Sequence, residues 1–239
     1  MKEYQDVFKR YEKKYLLDGG TFRELFTRLQ EYMKPDRYGN TTVCNIYYDT
    51  PDHRLIRTSL EKPVYKEKLR IRSYGRAENT DMVFVELKKK YRSVVYKRRI
   101  SLPQDQALAC FSKTRPWPDS QIGTELAYAA DFYQTLRPAV FLSYERDAFH
   151  GTEDEDLRVT FDTEIRYRQD GLSLDSDTWG IPILPPGLVL MELKVSGGLP
   201  LWMAHVLSCQ GIFKTSFSKY GAAYQNILLA GRRGDRKYA

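Results

Sequence analysis

Lysine, arginine and glutamate recur at every second position along several segments of this chain. Lys66, Lys68, Arg70 and Arg72 alternate with Leu69 and Ile71, and Glu86, Lys88 and Lys90 alternate with Val83, Val85 and Leu87. The same step joins Arg10, Glu12 and Lys14, then Lys97 and Arg99, Tyr144 and Arg146, Arg158 with Asp162 and Glu164, and Glu192 with Lys194. Residues two apart on a strand share a face, so each segment has one charged and one largely apolar face. Any one of these is an ordinary amphipathic strand with its charges in water. Repeated this often, with carboxylates among the cations, the pattern points to charged faces lining a common interior. A polyanion is the natural guest of such a surface.

Those residue types suit phosphoryl transfer, where the migrating group needs positioning and charge stabilisation more than a protein nucleophile. The face assignment directs Arg10, Lys14, Lys68, Arg70, Arg72, Lys88, Lys97, Arg99, Arg146, Arg158 and Lys194 to the interior, with Glu12, Glu86, Asp162, Glu164 and Glu192. Some of these pair with each other. The surplus cations would repel in an empty site, and the carboxylates can hold a hard divalent cation, Mg or Mn. Other chemistries are poorly supplied. His53, His150 and His205 lie in separate segments without metal-ligand spacing, and no Gly-rich loop runs into a lysine as in a Walker motif.

The elements that must position these residues follow from local signals. Residues 8–17 read as a strand broken by Gly19 and Gly20, and Thr21 with Glu24 forms a capping box for a helix bearing Phe22, Leu25, Phe26 and Leu29. A strand over 43–48 and a short helix toward Leu60 precede a three-strand meander at 65–74, 82–90 and 93–102. Residues 103–138 read as a helical insertion that covers the sheet. Strands resume at 139–149, 157–168 and 188–195, and 202–229 is helical with a break around 214–220. Neither a repeat nor a linker interrupts 1–239, so a single domain is expected.

Composition sets the bounds. The 239 residues carry 38 basic and 31 acidic side chains, a net +7 that favours phosphates, nucleic acid or anionic lipid as partners. Nucleic acid is disfavoured, because the tyrosines alternate within strands or fall on helices, as core aromatics do. Cys44, Cys110 and Cys209 are too scattered for a disulfide framework. Residues 1–15 lack the apolar stretch of a signal peptide, and no run approaches the roughly 20 apolar residues of a spanning helix. A soluble, cytoplasmic protein is expected, with no membrane segment of its own but room for a membrane partner.

Taken in order, Arg10-Tyr-Glu12-Lys-Lys14-Tyr15-Leu16, Ile46-Tyr-Tyr-Asp49-Thr50, Lys68-Leu-Arg70-Ile-Arg72-Ser-Tyr74, Val85-Glu86-Leu-Lys88 and Tyr96-Lys97-Arg-Arg99 resemble the vacuolar transporter chaperone (VTC) domain. Phe141-Leu-Ser-Tyr144-Glu-Arg146, Leu157-Arg158-Val-Thr-Phe-Asp162, Met191-Glu192-Leu-Lys194 and Phe217-Ser218-Lys219-Tyr220 continue the resemblance over nearly the whole chain. That family belongs to the triphosphate tunnel metalloenzymes, and its best-known activity is synthesis of inorganic polyphosphate from ATP. The resemblance implies an α+β fold built on an antiparallel β-barrel tunnel of about eight strands, with helices packed outside. It implies Lys14, Arg70, Arg72, Lys88, Lys97, Arg99, Arg146 and Arg158 as cations on the phosphate chain, with Tyr144 beside them. Ser218 and Lys219 match a pair near the tunnel mouth, and Glu192 matches the principal metal carboxylate, with Glu86 and Glu12 as further metal candidates. Arg10, Lys68 and Lys194 join the substrate-binding set by their faces. ATP, triphosphate and polyphosphate are the implied partners, with Mn or Mg as cofactor. The expected function is that of a divalent-metal-dependent polyphosphate polymerase passing the γ-phosphoryl of ATP to a growing chain. A metal-dependent hydrolase of the same substrates, and a non-catalytic module for polyphosphate or inositol phosphates, remain alternatives. One departure is visible: Ser216 stands where the family commonly has a lysine.

Overall fold

The structure, a computed structural model, describes residues 11–92, 94–154 and 156–235. In chain order its elements begin with β1 (Tyr11–Leu17), α1 (Gly19–Leu29), β2 (Met33–Pro35), β3 (Thr41–Asp49) and α2 (Arg54–Leu60). The meander follows as β4 (Tyr65–Tyr74), β5 (Met82–Tyr91) and β6 (Val94–Pro103), then α3 (Gln104–Phe111) and α4 (Gln121–Tyr133). The chain continues through β7 (Arg137–Gly151), β8 (Arg158–Arg168), β9 (Ile181–Pro182), β10 (Val189–Val195), α5 (Leu201–Cys209) and α6 (Lys219–Asp235).

Strand pairing runs in the order β1-β10-β8-β7-β3-β4-β5-β6, with β2 on β7 and β9 on β8. The α+β class is as expected. The barrel is not: among the described residues no pairing joins β1 to β6, so the ten-stranded sheet is open and the closed tunnel of about eight strands is corrected. Alternation explains the error, because a period of two assigns a face to each side chain and says nothing about what meets the edge strands. The free edge of β1 is taken locally instead, where the Lys14 carbonyl accepts from Thr215 N at 2.7 Å.

The chain divides into two compact units. The first takes in the chain up to Thr41, Glu145–Glu164 and Leu184–Phe217. Its apolar strand faces, with Tyr15, Leu17, Val159, Phe161, Met191 and Leu193, pack on Leu25 and Leu29 of α1 and Met203 and Leu207 of α5. Helix α1 starts earlier than the capping box predicts. Asp18 is its N-cap, accepting from Gly20 N at 2.8 Å and Thr21 N at 3.0 Å, so the strand ends at Leu17 ahead of the two glycines, which themselves lie in the first turn of the helix.

The second unit takes in Thr42–Tyr144, Ile165–Ile183 and the chain from Ser218. Cys44, Ile46, Leu69, Ile71, Val83, Val85 and Leu87 form its apolar face, covered by Leu55 of α2, Ala107 of α3 and Leu126 and Ala129 of α4. The helical insertion is thus a cover on the sheet. Buried Arg168 closes the loop after β8, donating to the carbonyls of Gly171, Ser173, Asp177 and Trp179 while its guanidinium lies 3.4 Å from the centre of the Phe141 ring. Gly180 completes that loop at φ 149°, where a Cβ would stand 2.5 Å from the Tyr167 carbonyl oxygen. Among the described residues no helix is long and apolar enough to cross a membrane.

Candidate functional site

In each unit the strand face opposite the helices carries the charge. On the first unit the antiparallel register aligns Glu12 with Lys194 and Arg158, and Lys14 with Glu192 and Thr160. Lys14 Nζ lies 3.1 Å from Glu192 and 3.3 Å from Glu12, and donates to the Phe217 carbonyl at 3.1 Å. Burial works against its charge, but the two carboxylates outweigh that and hold the ammonium above its ordinary range. Arg146 grips Asp162 with two bonds of 2.6 and 2.7 Å and stands 3.6 Å from Glu192, which also has Lys194 at 3.9 Å. Arg158 is turned to the margin, where it pairs with Asp36. Cations and carboxylates are nearly balanced on this face. Arg10 lies outside the described residues.

The second unit is different. Its register aligns Tyr47, Arg70, Glu86 and Arg99 in one row and Lys68, Lys88 and Lys97 in the next. Among the described residues eight strand cations, Lys66, Lys68, Arg70, Arg72, Lys88, Lys90, Lys97 and Arg99, therefore share this face with two strand carboxylates, Glu86 and, at the end of β3, Asp49. Glu86 is only 2% exposed, and Arg70 at 2.6 Å and Lys97 and Arg99, both at 2.7 Å, engage its oxygens. Burial alone would raise its pKa, yet Arg70, Arg72 and Lys97 hold it well below the usual carboxylate range. Lys97 is pushed down to about 8 by burial, with Arg99 and Arg70 adding repulsion, in spite of Glu86. Lys66, at the end of the same face of β4, is lowered by burial and by Lys90, Lys62 and Lys88.

The start of α6 borders this face. Lys68 Nζ donates to Ser218 Oγ at 2.7 Å, and Lys219 Nζ lies 4.5 Å from the centre of the Tyr144 ring. Tyr220 stacks on Tyr47 at 4.5 Å and donates to Asp49, which also accepts from Leu55 N and Ile56 N at the start of α2. The site residues named from the sequence thus fall into two groups, one on each unit. Sequence reasoning passed over Tyr47, whose hydroxyl accepts from Arg70 at 2.9 Å, and Asn45, which accepts from Arg72 at 2.8 Å. Tyr47 is in the motif run, and Asn45 falls in step with it; that step was the available signal.

Residues 9–228 match the family model of the VTC domain. The chain belongs to the VTC domain family. Solved structures share the fold of this VTC domain at low identity. A protein of Bacillus halodurans provisionally named an adenylate cyclase is 16% identical, with 89% of this chain and 94% of that chain covered and a TM-score of 0.55. A provisionally named adenylyl cyclase of Hippeastrum, described as having a dominant triphosphatase activity, is 14% identical over 90% of this chain and 95% of that one, with a TM-score of 0.55. A provisionally named adenylate cyclase of Vibrio parahaemolyticus is 11% identical, with coverages of 92% and 99% and a TM-score of 0.51. No curated protein matches the sequence. Among the described residues no group of three or more His, Cys, Asp or Glu side chains is placed to hold a metal.

Proposed function

We propose that this VTC domain binds triphosphate or short inorganic polyphosphate and hydrolyses its terminal phosphoanhydride with the help of a divalent cation. The observation that carries the reading is the surplus on the second unit's face, where among the described residues eight strand cations stand against the carboxylates of Glu86 and Asp49. Like charges of that number, most of them half-buried, repel one another when the face is empty, and the oxygens of a phosphate chain satisfy them with charge-assisted hydrogen bonds. Tetrahedral phosphate groups in series match a row such as Lys68, Lys88 and Lys97 better than any neutral ligand does.

The mixed face of the first unit carries, in its own right, groups suited to that chemistry. Magnesium-type ions commonly take one or two protein carboxylates and complete their shell with phosphate oxygens and water. Glu12 and Glu192, both within 3.3 Å of Lys14 Nζ, are such a pair of hard oxygen donors. Among the described residues the buried Thr160 hydroxyl opposite Glu192 has no hydrogen-bond partner, which suits a polar guest there. Mn or Mg held there would screen the phosphate oxygens. Lys14 and Arg146 spread the charge that develops on the transferring group. An attacking water must give up a proton, and we assign Glu12 to take it, since its side chain is 28% exposed against 9% for Glu192, which leaves Glu192 as the carboxylate that would hold the cation. Glu86 suits neither role, because three cations engage it and hold it ionised.

Ser216 in place of the family lysine favours hydrolysis, since a synthase must keep hold of its growing chain. The activity described for the Hippeastrum protein supports the same choice. Membership of the VTC family supports a second reading, transfer of the γ-phosphoryl of ATP to a polyphosphate end. Incubation with triphosphate or ATP and Mn, followed by phosphorus NMR, separates them. Orthophosphate from triphosphate is the expected result. ADP with polymer would establish the second reading, and binding without turnover would leave a non-catalytic module.

A further inference from the structure

On the cation-rich face Arg70 and Arg72 sit two residues apart on one strand, but they are held in opposite ways. Arg70 is neutralised by Glu86 at 2.6 Å. Arg72, 6% exposed, has no carboxylate within ion-pair distance among the described residues. Its Nε donates to Asn45 Oδ1 at 2.8 Å and its Nη2 to Tyr144 Oη at 2.9 Å, while Nη1 donates to nothing among the described residues. Asn45 is itself fully buried and donates from Nδ2 to the Leu142 carbonyl at 2.9 Å.

We propose that Asn45 is a positioning residue that aims Arg72 at the phosphate chain while placing no carboxylate in contact with its guanidinium. A guanidinium only donates and a carbonyl only accepts, so a side chain between them must offer one acceptor and one donor. An ionised aspartate fails at the Leu142 carbonyl and would also neutralise Arg72. An asparagine satisfies both and adds no charge. Tyr144 is the second neutral holder, and with Lys219 over its ring it brings a further cation to the same side chain. Holding a buried arginine with an amide and a phenol costs stability in the empty protein, and its Nη1 is then available to an anion.

The inference rests on the phosphate-binding reading above, and its test separates the two. The dissociation constant of triphosphate is measured calorimetrically, without metal, for the wild type, Asn45→Ser, Arg72→Gln and the double variant. We expect Asn45→Ser to weaken binding about tenfold, and to change it less than about twofold when Arg72→Gln is already present, the non-additivity of a residue acting through its partner. Tyr144→Phe, which removes one hydroxyl and fills the same space, should show a smaller loss that also vanishes in the Arg72→Gln background. It carries the test if Asn45→Ser does not fold. A wild type that does not bind triphosphate overturns both readings. A wild type that binds, with Asn45→Ser or Tyr144→Phe equally tight, or with losses that persist in full beside Arg72→Gln, overturns this inference alone.

Discussion

Glu86 holds together three cations that would otherwise face one another. Removing one partner of a buried charge network leaves the others uncompensated, which costs about 3–5 kcal/mol. Glu86→Gln should therefore lower the unfolding free energy by roughly 3 kcal/mol in metal-free urea titrations, and triphosphate should restore part of the loss. A metal-ligand role would show the reverse: little change without metal and weaker Mn binding. Lys97 offers a second test. Its pKa of about 8 lies below the ordinary 10.5, so between those values the unfolded chain binds more protons and this residue's contribution to stability rises with pH. A bound polyanion should draw the pKa back up. Triphosphate binding at pH 8.5 should then take up protons, seen as a dependence of the calorimetric heat on the buffer's ionisation enthalpy, and Lys97→Met should abolish most of that uptake.

At the scale of elements, α2 and α6 are tied to β3 by one carboxylate. Asp49 accepts from Leu55 N at 2.8 Å, Ile56 N at 3.0 Å and Tyr220 Oη at 2.9 Å. Hydrogen bonds to a charged group are each worth about 1.5–3 kcal/mol. Asp49→Asn keeps the shape and can still accept through one oxygen, so a loss of about 2 kcal/mol is expected. Amide exchange should quicken first at Leu55 and Ile56. Equal exchange in the variant would mean that α2 is held by packing alone. These ties also mark where the sequence stops being legible. The charged faces of β4, β5 and β6 could be read because period-two alternation is a local signal. Asp49 meets a tyrosine 171 residues away and Asn45 a carbonyl 97 residues away, and no local pattern reports such partners. Arg168 reads as one more strand cation, although its guanidinium is a buried clamp on loop carbonyls. The open sheet was hidden for the same reason, since its outcome rests on the edges of β1 and β6.

For the molecule as a whole, the net charge of +7 understates the local imbalance, because cations and carboxylates nearly balance on the first unit's face while cations outnumber carboxylates on the second. The surplus makes the empty protein a strained reference state, and any ligand that binds only the folded form stabilises it by mass action. At a hundred times its dissociation constant that gain is about 2.7 kcal/mol. In a chain of this size it corresponds to a rise in Tm of roughly 5–10 °C. Triphosphate should produce such a rise, and sodium chloride of equal ionic strength should not. Arg70→Ala and Arg146→Ala, one from each charged face, should each diminish it. Glu192→Gln should leave most of the metal-free shift, because it removes a metal oxygen and no cation, while cutting Mn-dependent turnover at least a hundredfold. If chloride matched triphosphate, the rows of lysine and arginine would be ordinary solvated faces and the phosphate-chain reading would fail.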